Sequence, residues 1–84
     1  MTNLEQEIIA IARQELAHLL AFYEKQAGGD VSEEDRINYL IHHHALTTVL
    51  MLGHLRDSGM SLEARATLQQ IEDESAAAFR ASPN

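Results

Sequence analysis

Helix breakers occupy so few positions in this chain that they leave room for only three long elements. The single proline is Pro83, and the glycines are Gly28, Gly29, Gly53 and Gly59. Between Gly28-Gly29 and Gly59, and on either side of them, apolar residues recur at three- and four-residue intervals. That is the period of a helix face, and strand-like alternation appears nowhere. The spacing predicts an all-α fold in one domain, residues 1–84. Helix 1 covers about 3–27, helix 2 about 32–57 and helix 3 about 61–80.

The ends of these helices carry their own signals. Thr2 or Asn3, with Glu5 or Gln6 three positions on, reads as a capping box. Gly28-Gly29 closes helix 1, because glycine accepts the left-handed conformation beyond a helix C-terminus. Ser32 caps helix 2, and Glu33, Glu34 and Asp35 behind it place carboxylates at the positive end of the helix dipole. Gly53 lies inside helix 2 at a cost of about 1 kcal/mol relative to Ala, which points to a close contact or a bend. Ser61 caps helix 3, with Glu63 in its first turn.

The stretch from Ile37 to Leu55 is the most apolar run and holds four of the five histidines. Its main stripe is Ile37, Leu40, Ile41, Thr48, Met51, Leu52 and Leu55. Helix 1 has one stripe of Leu4, Ile8, Ile11, Leu19 and Phe22, and a second of Ile9, Ala12, Leu16, Leu20 and Tyr23. A short loop joins the two helices, so they are predicted to form a long antiparallel hairpin. The main stripes then fall into register: Leu4 with Leu55, Ile8 with Met51, Ile11 with Thr48, Leu19 with Leu40, and Phe22 with Ile37. In the middle of that register Glu15 meets His44, a predicted buried polar layer in which each group satisfies the other.

Helix 3 offers only the narrow stripe Ala64, Leu68, Ile71, Ser75, Ala78 and Phe79. It can cover Tyr39, Leu46 and Leu50 of helix 2, or the second stripe of helix 1, but not both. The surface left over predicts a homodimer built on a helical-bundle interface, with Tyr39, Leu46, Val49 and Leu50 as the interface candidates.

Composition narrows the function. The formal charge of -7 argues against nucleic acid and anionic membrane as partners, and fits a basic protein client. No cysteine is present, so there is no disulfide and no thiol nucleophile. No signal segment or membrane span is legible, and a cytoplasmic location is expected. His42-His43-His44 does not have chelating spacing, because successive helix residues point about 100° apart. Glu15 and His18 form a Glu-x-x-His pair on one helix face, a motif used by ferritin-like di-metal carboxylate bundles. Two copies of Glu15, His18 and His44 converging in a dimer would suit Zn, Mn or Fe. One such motif per chain falls short of that set, so no cofactor is expected. The chain reads first as a small acidic, non-enzymatic regulator or adaptor working by protein–protein contact. A metal-binding helical bundle is the alternative.

Overall fold

A helix leaves its first backbone N–H groups without intrahelical partners, and each helix here begins where a side chain supplies one. The computed structural model describes residues 1–55 and 57–82. Helix α1 spans Asn3–Ala27, α2 Glu33–Met51 and α3 Leu62–Ala81. Thr2 and Glu5 form a reciprocal capping box at α1, and Ser32 and Asp35 form another at α2. Ser61 accepts from the Ala64 N–H at the start of α3. Beyond α1 the chain turns at Gly29, whose φ of 76° is the left-handed conformation that glycine adopts freely.

The all-α prediction holds: among the described residues there are three α-helices and no strand. Helix 2 is shorter than its periodicity predicts. The α-helix ends at Met51, continues as a 3-10 turn over Leu52–His54, and gives way to extended backbone at Leu55. Gly53 lies in this turn against α3: a Cβ there would stand 3.4 Å from Cβ of Leu68, about an ordinary contact distance. His54 Nε2 lies 2.9 Å from Glu72 of α3, and Arg65 donates to the Leu55 carbonyl, which pins the same corner.

α1 and α2 form the predicted antiparallel hairpin, in the predicted register to within about a residue. Lys25 reaches Asp35 at 3.1 Å, the Phe22 and Tyr39 rings stack at 4.4 Å, and His18 stacks on His42 at 3.9 Å. α3 packs chiefly on α1 and touches α2 more lightly. The core is Ile9, Ala12, Leu16, Leu19 and Tyr23 of α1, Leu46 and Leu50 of α2, and Ala64, Leu68 and Ile71 of α3.

The rotation of the helices about their axes departs from expectation. α1 turns Ile9, Ala12, Leu16 and Tyr23 of its second stripe inward together with Leu19, and leaves Leu20 exposed, so its buried face lies roughly a quarter-turn from the expected one. α2 is turned by roughly half a turn. Asp35, Tyr39, His42, Leu46 and Val49 face the hairpin seam, while Ile37, Leu40, Ile41 and Met51 stay exposed. The cause is the third helix. When three helices share one core, α1 must point between its two neighbours, and the fully buried Ala12 and Ala64 let α1 and α3 approach closely. Leu46 and Leu50 then suffice to fill the remaining volume from α2.

Candidate functional site

The expected interface residues lie inside the chain. Leu46 and Leu50 are buried, and Tyr39 and Val49 pack against the core. They are therefore corrected from interface to hairpin packing, for the reason just given. The Tyr39 hydroxyl sits 3.0 Å from that of Tyr23. Burial first, and then the hydrogen bond to Tyr39, hold the Tyr23 phenol well above its ordinary range, so it stays neutral.

The expected polar layer exists, with a different histidine. Glu15 Oε2 lies 2.5 Å from Nδ1 of His42, and both side chains are mostly buried. His44 is exposed on the far side of α2, two residues and about 200° further round. The half-turn of α2 makes this exchange necessary. His18 does join the layer, but its ring lies over that of His42, 9° from parallel. Ring-nitrogen lone pairs lie in the ring plane, so two stacked imidazoles send theirs alongside one another and not toward a common point. His42 Nδ1 is also engaged by Glu15. Glu15, His18 and His44 are thus not gathered, and among the described residues no group of three or more His, Asp or Glu is placed to hold a metal ion.

A cleft of about 690 Å³ opens beside this layer, lined by His18, Phe22, Lys25, Asp35, Tyr39 and His42. Glu24 also lines it, and of its three charged groups Lys25 and Asp35 satisfy one another. The Ser32 backbone N–H and then Lys25 hold the Asp35 carboxyl below its usual range. No unpaired charge in that pair is left to recognise a ligand.

Glu5 is a role the sequence only half reveals. Beyond its bond to the Thr2 N–H, its carboxylate accepts from the Ser61 N–H at 2.6 Å and from the Ser61 hydroxyl at 3.2 Å. One buried carboxylate thereby closes the N-terminal caps of both α1 and α3. Those backbone donors, Ser61 first and Thr2 second, hold its pKa below the ordinary value despite burial. The capping-box spacing gives away the Thr2 half. No local pattern signals a partner 56 residues away.

The outward face of α2 carries a row of exposed apolar side chains. Ile37, Leu40, Ile41, Met51 and Leu55 are 49–64 % exposed. Ile37, Leu40, Ile41 and Met51, with His44 and Thr48, occupy one side of α2 opposite the hairpin seam, and Leu55 follows beyond the 3-10 turn. Leu4 and Ile11 of α1 are exposed too, at the end of α1 that the hairpin places beside the end of α2. Single exposed apolar residues are ordinary, but a row of large aliphatic side chains along one helix face marks an interaction surface. Among the described residues, no helix is long and apolar enough to cross a membrane. No protein-family model, curated protein sequence or solved structure matches this chain.

Proposed function

We propose that this protein works by protein–protein contact, as a small acidic regulator or adaptor without catalysis of its own, through the outward face of α2. The observation that carries the reading is the exposed row Ile37, Leu40, Ile41, Met51 and Leu55. Fully burying a large aliphatic side chain contributes about 1.5–3 kcal/mol. With little more than half of each side chain still to be covered, the row contributes about 4–8 kcal/mol from this chain alone. That is a large drive toward association for a domain of 84 residues. A homodimer uses this surface on both sides, and a basic client would add charge attraction to the net -7.

Ile41→Glu tests the reading, because the side chain is exposed and its replacement leaves the core untouched. The variant is expected to keep the helical circular-dichroism spectrum and to lose association in native mass spectrometry and in pulldown. Leu20→Glu, on another face of α1, serves as the control. If Ile41→Glu retains every association of the wild type, the α2 face is not the interface. Salt separates the two kinds of partner: contact with a basic client weakens as salt rises, whereas association of two acidic copies strengthens.

A further inference from the structure

We infer that the outward face of α2 docks a second copy of this chain in antiparallel orientation, about a two-fold axis crossing the helix pair between His44 and Thr48. This rests on the reading of that face as the interface and goes on to specify its occupant and geometry.

The first support is the pattern of the seam. Its positions within α2 are Ile37, Ile41, His44, Thr48 and Met51, at intervals of four, three, four and three residues. From Ile41 to Met51 both the spacing and the residue character read the same in either direction: apolar, polar, polar, apolar. A two-fold interface requires such a self-complementary patch, since each contact occurs twice with the roles exchanged. In the antiparallel pair Ile41 meets Met51 of the second copy and His44 meets Thr48, while Ile37 reaches past the end of the second copy's α2. At the centre of the pair, apolar side chains face apolar ones and the polar residues face one another.

The polar layer can be satisfied in that arrangement. The Thr48 hydroxyl already donates to the His44 carbonyl of its own helix, at 2.9 Å. Its oxygen still has lone pairs free to accept from an imidazole N–H of the second copy's His44. Two such bonds form, one on each side of the axis.

Charge selects the orientation. One turn before Ile37 the seam continues into Glu33 and Glu34, both exposed. A parallel pair would bring four carboxylates together at one end, and two positive helix ends as well. The antiparallel pair sends them to opposite ends. Access is open, because the residues of α2 that pack against α1 lie half a turn from the seam. Two copies also contribute the same exposed row twice, which no single-sided client is bound to do.

The test uses the absence of cysteine. Ile41→Cys and Met51→Cys each introduce a lone thiol on the exposed face. In the antiparallel pair, two copies of position 41 stand about 15 Å apart along the helices, from a rise of about 1.5 Å per residue. That is beyond disulfide reach, whereas positions 41 and 51 of different copies lie opposite one another. Oxidation of the mixed variants is expected to give the 41–51 disulfide, and Ile41→Cys alone is expected to give no covalent dimer. Nuclear Overhauser contacts between the Ile41 and Met51 methyls of labelled and unlabelled wild-type chains supply the same information without a substitution. Ile41→Glu is expected to weaken self-association at least about 100-fold.

A 41–41 disulfide, or Ile41–Ile41 contacts, would overturn the antiparallel arrangement while keeping the face as the interface. A wild type that stays monomeric in native mass spectrometry up to about 100 μM, far above the range of specific dimers, would overturn the second copy as occupant. The pulldown comparison with Ile41→Glu then decides separately whether the face itself binds anything.

Discussion

Two alanine substitutions five residues apart on α2 decide whether the helix is turned as described. Leu46 is 2 % exposed and touches both hairpin and core, whereas Ile41 is 58 % exposed. Truncating a fully buried leucine removes its transfer energy and leaves a cavity, together about 2–5 kcal/mol. A domain of this length has a total stability of about 4–13 kcal/mol, so Leu46→Ala consumes a large fraction of it. At about 3 kcal/mol, the melting temperature falls by roughly 12–24 °C. Ile41→Ala removes no core contact, and alanine is the better helix former, so the folded monomer is expected to change by less than about 0.5 kcal/mol. The assay is urea denaturation followed by circular dichroism, at a protein concentration low enough that the midpoint no longer depends on it. If Ile41→Ala costs the dilute chain as much as Leu46→Ala, the apolar row belongs to the chain's own core and α2 is turned the other way.

Three further outcomes follow from the same geometry. A double-mutant cycle on Glu15→Gln and His42→Ala is expected to give a coupling of about 1 kcal/mol, while Glu15→Gln and His44→Ala give a coupling below about 0.3 kcal/mol. Glu5 and Asp35 both have lowered pKa values, so their contribution to stability is complete above the ordinary carboxylate range. That contribution is lost as pH falls through the ordinary value and on through the lowered folded one. The urea midpoint should therefore drop between about pH 6 and pH 3, and drop less in Glu5→Gln, whose unfolded and folded states no longer differ in protons at that site. Gly59, with φ of 76° and open space where a Cβ would go, should cost about 1–2 kcal/mol when replaced by alanine, measured by the same denaturation.

Local features of this fold were legible and long-range ones were only partly so. Thr2, Ser32 and Ser61 announce the three helix starts because capping is a matter of a few neighbouring residues. The hairpin register was legible as well, because Lys25 and Asp35 flank a loop too short to allow another pairing. Rotation of α2 was not. Apolar count favours the Ile37–Leu55 face, and apolar count alone says that a face wants cover without saying whether the chain itself or another molecule supplies it. The error at Glu15 follows directly. The spacing called for a histidine opposite Glu15, and with α2 turned the wrong way His44 stood where His42 belongs. The Glu5–Ser61 bond had no local signal at all, since it joins caps that only tertiary packing brings together.

The rotation of α2 also bears on why the seam of the second copy should be antiparallel and polar at its centre. An aliphatic residue in place of His44 or Thr48 would bury more apolar surface in the dimer, but it would also make neighbouring registers nearly as good as the right one. A slip of one turn in the antiparallel pair would set either Thr48 against Ile41 or His44 against Met51, according to its direction, and strand that residue's polar atoms. In the proposed pair the two polar residues would thus lower affinity and raise selectivity for one register, as polar residues at single core positions of coiled coils do. The measurable consequence is opposite in sign for the two quantities. Thr48→Val together with His44→Leu should tighten self-association by about 10-fold or more. The same variant should broaden the cross-linking pattern, so that Ile41→Cys pairs with positions a turn away from 51. Tighter association with an unchanged, single cross-link would mean that side-chain packing alone sets the register. Weaker association would mean that the His44–Thr48 contact is itself a net source of affinity.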